Sequence, residues 1–316
     1  MQNAGNASRS LQWHPERMID MGEQKEVYTQ MSFAGERALF GKSGIKVVDS
    51  VFDNGESPLK ECRDVELSCC LFRWKYPLWY CDNVYADNCT WFEMARAGVW
   101  YSKNIHIKNT SIEAPKNFRR CDGVKLENVT FHKAEETFWS CENITLNKVT
   151  ASGAPYFGMN SRNIDIDDLT LDGNYAFDGA ENIVIRNSRL LTKDAFWNSK
   201  NVTVYDSFIS GEYLGWNSQD LTFVNCTIES LQGMCYIDRL KMVNCKLINT
   251  TLAFEYSNVD AGLTGKVDSV FNPASGRIEA DSIGELIIEK DKVDPARTVI
   301  LAKDIVKRSD RPEWIA

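Results

Sequence analysis

A repeat of 19 to 21 residues runs through most of this chain, and it constrains the fold more than any other feature. Successive units read CRDVELSCCLFRWKYPLWY (62–80), CDNVYADNCTWFEMARAGVWY (81–101), SKNIHIKNTSIEAPKNFRR (102–120) and CDGVKLENVTFHKAEETFWS (121–140). They continue to residue 236, with weaker units at 42–61 and 237–257. A fixed period in this range means stacked supersecondary units, none of which can bury its apolar face alone.

The columns of the repeat define the unit. The fourth position is Val65, Val84, Ile105, Val124, Ile144, Ile164, Ile183, Val202, Leu221 and Leu240, and the sixth is equally apolar. Two aliphatic columns two residues apart are one face of a strand. The residue between them is mostly polar (Glu66, His106, Lys125, Thr145) and is expected in solvent. A second apolar column falls at position eleven (Phe72, Trp91, Ile112, Phe131). A third lies three residues before the next unit (Leu78, Val99, Phe118, Phe138, Phe177, Phe196), with gaps at Gly158 and Gly215. Asn recurs at two corners: Asn83, Asn104, Asn143, Asn163, Asn182 and Asn201 at one, Asn88, Asn109, Asn128, Asn187, Asn225 and Asn244 at the other. Asn tolerates left-handed backbone, and its amide can bond to the same residue one coil away.

The pattern predicts an all-β fold, a single-stranded right-handed parallel β-helix of about eleven coils, three strands per coil and about 50 Å length. A leucine-rich repeat would show a strict Leu framework. A left-handed hexapeptide helix would show a six-residue sub-period, which is absent. Residues 1–21 are expected to be a disordered tail, 22–41 an N-terminal cap, 42–257 the coils, 258–290 C-terminal cap strands and 291–316 a peripheral tail.

A net charge of −8 argues against general nucleic-acid binding. No run of 18 apolar residues suggests a membrane span, and the first 20 residues lack a secretory core, so a cytoplasmic location is expected. Eight of the ten cysteines occupy repeat columns, Cys62, Cys81, Cys121 and Cys141 in one and Cys70, Cys89, Cys226 and Cys245 in another. They are expected to be reduced, buried filler, because no C-x-x-C or His cluster supports zinc. Asp165, Asp167, Asp168 and Asp172 lack calcium-loop spacing, and Arg186 is expected to pair with Asp167. No metal or cofactor is expected.

Chemistry is expected on the third face. Five residues before each next unit stand Tyr76, Lys116, Glu136, Tyr156, Tyr175, Asp194 and Tyr213. Two residues before it stand Trp79, Trp100, Arg119, Trp139, Met159, Asp178, Trp197 and Trp216. Strand alternation turns these outward if the Phe/Leu/Val column turns inward. The functional reading is a shallow groove that binds sugar through Trp79, Trp100, Trp139, Trp197, Trp216, Tyr175, Tyr213, Lys116 and Arg120. Hydrolysis would need two nearby carboxylates, for which Glu136 with Asp178, or Asp178 with Asp194, are candidates. A lyase would use Arg119, Arg120 or Lys116 beside an acidic sugar. Glu93, Arg96 and Tyr156 complete the catalytic candidates. The structural reading of the same columns is a stacking ladder with lateral ion pairs. Candidate partners are an oligosaccharide or acidic sugar, or else a protein partner or second copy, with no nucleic acid and no membrane.

The motifs GERALFG (35–41), FRWKYPLWY (72–80), FEMARAGVWY (92–101), EAPKNFRRC (113–121), VYDSFISGEYLGWNS (204–218) and SGRIEADSIGELIIE (275–289) resemble a bacterial family of right-handed β-helix proteins classed as a domain of unknown function. The resemblance covers about 22–290 and implies the fold but no activity. A broader similarity to pectate-lyase-like β-helices is one of fold alone.

Overall fold

The computed structural model describes residues 25–311. Successive turns pair in parallel, and Val84, Ile105, Val124, Ile144, Ile164, Ile183 and Val202 are direct register partners, one per turn. All are buried. This is the expected aliphatic column, formed because β-branched residues at every second position present one continuous apolar face to the interior. The intervening Glu66, Lys125, Thr145 and Asp165 are partly or fully exposed. Among the described residues helix is confined to one 3-10 turn, Pro295–Arg297, and no helix is long and apolar enough to cross a membrane.

The solenoid is longer than the expected eleven coils. It has about 15 turns, which at ~4.8 Å each makes it about 70 Å long. The ladder already begins with Glu26–Thr29, paired to Ser43–Val48. It also runs on through Asn258–Leu263 and Ser275–Ile287 to Thr298–Ser309, a strand within the segment expected to be a peripheral tail. Residues 1–21 lie outside the described residues.

Three strands per coil also needs correction. Among the described residues the third face pairs as short strands at Leu78–Trp79 with Val99–Trp100, followed by single bridges from Trp100 to Arg119 and Arg119 to Trp139, and forms a ladder again only in the last turns, where Val270–Phe271 pair with Leu286–Ile287. Later turns cross this face as hydrogen-bonded bends, such as Asn160 N–H to the Asp178 carbonyl at 2.8 Å. The backbone explains why. Lys116, Phe118 and Arg120 all have positive φ, as do Glu136, Phe138 and Ser140 one turn on. Alternate left-handed residues curl the chain too tightly for an extended ladder.

The corners follow the sequence closely. Asn83, Asn104, Asn143, Asn163, Asn182 and Asn201 all take positive φ. Each donates its amide to the turn before, four to the equivalent corner residue, as Asn83 Nδ2 to Asp64 Oδ1 at 2.7 Å and Asn201 Nδ2 to Asn182 Oδ1 at 2.9 Å, and Asn104 and Asn143 to the aspartate beside it, Asp82 and Asp122. The second corner does the same, as Asn128 Nδ2 to Asn109 Oδ1 shows at 2.9 Å.

Aromatic residues fill the interior as stacks. Phe33, Phe52, Phe72 and Trp91 stack successively at 4.7–4.9 Å. Phe118 stacks on Phe138 at 4.8 Å. The expected gap at Gly158 is filled by its neighbour: Phe157 is fully buried and meets Phe138 edge-on at 5.3 Å, while a Cβ on Gly158 would lie 2.7 Å from the Phe177 ring.

All ten cysteines are free, and nine are buried. Cys81 Sγ donates to the Leu59 carbonyl at 3.0 Å, Ser102 Oγ to the Leu78 carbonyl at 2.9 Å, and Cys141 Sγ to the Phe118 carbonyl at 3.1 Å. Thiol and hydroxyl alternate in one structural task, closing a carbonyl of the preceding turn. Burial pushes the Cys62 thiol up to about 11 and that of Cys235 to about 12, so neither supplies thiolate at neutral pH.

Candidate functional site

The third face carries a column of rings along much of the solenoid. Each turn repeats an inward apolar residue followed by a half-exposed one, as in Leu78–Trp79, Phe118–Arg119 and Phe138–Trp139. Trp79 and Trp100 stack at 5.1 Å with their planes 6° apart. The Arg119 guanidinium then takes the place of a ring, 4.6 Å from the Trp100 centroid and 5.1 Å from that of Trp139. The column passes through Tyr156 and Tyr175, stacked at 5.4 Å, then through Trp197 and Trp216. It ends on Tyr236 and Tyr256, which the sequence reading did not include. Their signal was available: Tyr236 closes its repeat unit, one position after the Trp column.

The Trp side chains are also tied to the backbone. Trp79 Nε1 donates to the Ala97 carbonyl at 2.7 Å, Trp100 Nε1 to that of Lys116 at 2.9 Å and Trp197 Nε1 to that of Tyr213 at 2.6 Å. Each bond reaches one turn onward, to a carbonyl at or beside a bend. Rings whose faces cover one another offer a ligand mainly their edges. Trp139 and Tyr156 are set apart at 6.1 Å and 48°, about as far as Trp197 and Trp216 at 6.0 Å, and Tyr156 is 37% exposed.

Charges gather beside that wedge. Glu136 accepts from Arg119 at 2.7 Å and from Lys116 at 3.1 Å, and Glu135 lies 3.7 Å from Lys116. Arg119 Nε is shielded from solvent and finds no acceptor. Arg120 is exposed, with its guanidinium 6.0 Å from the Tyr101 ring. Lys116 and Arg119 pair with Glu135 and Glu136, and Arg120 on the same turn adds a third cation toward Tyr101.

The other candidates stand apart. Asp178 Oδ1 accepts from Asn198 Nδ2 at 2.9 Å, and Asn217 donates in turn to Asn198, so Asp178 begins a third corner ladder. Glu136 is thus held from the preceding turn and Asp178 from the following one. Asp194 is almost fully buried, 2% exposed, and accepts from the Tyr213 N–H at 3.4 Å. Burial raises its carboxyl above the usual range, opposed by the Tyr213 N–H and Lys193. Tyr175 is raised in turn, chiefly by the charge of Asp194. Glu93 pairs with Lys133 at 3.5 Å, and Arg96 is exposed on the same turn as Glu93. In the acidic stretch Arg186 pairs with Asp165 at 2.7 Å, not with Asp167 as expected. Asp167 instead accepts from Asn187 at 2.7 Å.

Concavity appears elsewhere. A hollow of about 390 Å³ opens beside the second face, over Arg189–Lys193, Phe208–Gly211 and Thr227–Ser230. In early turns the second-face strand has two residues, as at Val51–Phe52 and Thr90–Trp91. A register shift between Ala151 and Ala154 lengthens it, and small residues let the backbones close in: a Cβ on Gly211 would lie 2.3 Å from the Thr192 carbonyl oxygen. No sequence column flagged this hollow, because the outward residues that line it do not repeat.

Among solved structures, the chain is similar to the Streptococcus pneumoniae surface adhesin PfbA (10% identity, 89% of this chain and 82% of that one, TM-score 0.38). It is also similar to the A-module of the Azotobacter vinelandii mannuronan C-5 epimerase AlgE4 (8% identity, 91% and 89%, TM-score 0.29). A third is the tailspike protein of E. coli bacteriophage HK620, solved with a pentasaccharide (8% identity, 90% and 70%, TM-score 0.32). Superposition at this level carries no argument about function. No curated protein matches the chain. Residues 26–301 match the family described as "Protein of unknown function (DUF3737)", and the chain belongs to that family.

Proposed function

We propose that this protein binds an acidic oligosaccharide along its third face, centred on the wedge between Trp139 and Tyr156. The observation that supports this reading is the opening of the ring column beside Lys116, Arg119 and Arg120, whose positive charge exceeds that of Glu135 and Glu136. The part of the Tyr156 ring face that the tilt of Trp139 leaves uncovered can meet the apolar side of a sugar ring, and guanidinium groups can meet its carboxylate. Binding fits better than cleavage. Hydrolysis uses two carboxyls that share one bond, whereas Glu136, Asp178 and Asp194 each answer to a different partner.

A thermal-shift panel of neutral and uronic-acid oligosaccharides tests the reading with Arg120→Ala and Tyr156→Ala, two exposed positions. A uronic-acid oligomer is expected to raise the Tm of the wild type and to raise that of both variants less. No shift with any sugar, or equal shifts in all three proteins, rejects it. A second reading, a protein partner, is favoured by the stack of exposed Tyr80 on half-buried Tyr101 at 4.9 Å. Light scattering that shows self-association lost in Tyr80→Ala would support it.

A further inference from the structure

We infer that the hollow beside the second face is a separate site for an amino sugar, a ring that carries a primary ammonium next to hydroxyls. It is independent of the third-face reading: its residues are different and its charge is opposite.

The lining has three chemical parts. Leu191 and Leu231 supply apolar surface, and Leu231 is 58% exposed at the rim. Lys193 and Glu212 form an ion pair at 3.0 Å on one side. Glu229 stands on the other, with one oxygen taking the Ser210 hydroxyl at 3.2 Å and the other the Asn249 amide at 2.7 Å. Both donors to Glu229 are neutral, so its charge is oriented but not cancelled. Asp172, exposed and in register with Leu191 one turn earlier, adds a second negative charge at the lip. Lys193 offsets one of the three carboxylates. Of the flanking cations on the same strand set, Arg189 is turned onto the Phe208 ring at 4.6 Å, and exposed Lys246 stands in register with Thr227, so the carboxylates still outnumber the cations over the hollow.

A concave site with an excess of carboxylate selects a cation, and charge-assisted hydrogen bonds to a fixed carboxylate are the strong ones. The volume suits a small ligand, since it lies near the lower end of the range for small-molecule sites, about 300–1,000 Å³. The remaining donors and acceptors (Lys193, Glu212, Ser210 and Asn249) suit hydroxyls that both give and accept hydrogen bonds. The two leucines suit the C–H side of a ring. A polyamine would use the charge and leave the polar rim unmatched. An acidic sugar would meet the carboxylates with like charge.

Titration calorimetry with the full chain tests this with glucosamine oligomers, N-acetylglucosamine oligomers, spermidine and a uronic-acid oligomer, on the wild type, Glu229→Gln and Arg120→Ala. Glucosamine oligomers are expected to bind the wild type about tenfold or more tighter than the N-acetylated ones, as the loss of one charge-assisted bond implies. That preference should vanish in Glu229→Gln, which keeps the Ser210 and Asn249 contacts in shape, and persist in Arg120→Ala. Equal binding of both sugars, spermidine binding as tightly as glucosamine, or an unchanged preference in Glu229→Gln would overturn the inference. Uronic-acid binding that is lost in Arg120→Ala and kept in Glu229→Gln would leave the third-face reading standing when this one fails.

Discussion

The first and third faces of this solenoid are built from the same chain at the same spacing, yet they are held in opposite ways. On the first face the backbone does the work. Extended strands from Glu26 to Ser309 hydrogen-bond turn to turn, and the side chains follow the strict in–out alternation of a strand. On the third face the backbone bends through left-handed residues, and side chains carry the stacking: Phe118 on Phe138 inside, Trp100 on Arg119 on Trp139 outside. Left-handed backbone costs a residue with a Cβ roughly 1–2 kcal/mol. Gly and Asn avoid much of that at the corners, but Lys116, Phe118, Glu136 and Phe138 adopt it where backbone bonds between bends and the ring stacks together offset it. A strained, side-chain-held surface with rings and unbalanced charge is where a solenoid of this kind can carry recognition.

The largest effect that separates the two faces is expected at Phe138, which is 1% exposed between Phe118 and Phe157. Phe138→Ala should cost about 3–5 kcal/mol in urea unfolding, through the cavity and the unsupported bend. Loss of well under half that amount would mean that the third face is not held by its stacks.

The first-face corners should be softer. Asn163 bridges Asn143 and Asn182 at positive φ. Asn163→Ala should cost about 1–3 kcal/mol by removing its amide bonds and straining the backbone, and Asn163→Gly should cost less, because only the bonds are lost. Equal losses for Ala and Gly would remove backbone strain from the account.

Asp194 gives a pH-dependent contrast. Burial raises its folded-state carboxyl above the unfolded one, so the native state holds its proton longer. Stability from this group is therefore present below the unfolded value and is lost as pH rises through the folded value. Asp194→Asn should gain Tm relative to the wild type at pH 7, with the gain shrinking toward pH 4. A gain that grows on acidification would contradict the burial.

The smallest effect is expected at an exposed ion pair. Glu93→Ala breaks its contact with Lys133 between side chains that are 70% and 51% exposed, and should change stability by no more than about 0.5 kcal/mol. A larger loss would show the pair to be part of the solenoid's framework.

The first face was legible because Ile and Val at every second position, and Asn at every turn, have one physical meaning each. The ends of the solenoid were not. Glu26 stands in register with Ile45, so the first strand hides a polar residue in an apolar column, and the last turns depart from the 19–21 spacing. The third face was half legible. The inward Phe column and the outward Trp column were both readable. The bends were not, because bulky residues at positive φ carry no compositional signal. Asp178 looked like a charge interrupting an aromatic column, while Asn198 and Asn217, closing the next two units, already marked the corner ladder it joins.

Hydrogen–deuterium exchange, with and without a saturating uronic-acid oligosaccharide, tests the central claim most directly. The account predicts slowed exchange confined to peptides spanning 116–120, 135–140 and 155–160, with the first-face strands Lys103–Ile112 and Asp122–Phe131 unchanged beyond those bends. Protection spread over the first face, or none at the Trp139–Tyr156 wedge under saturation, would contradict it.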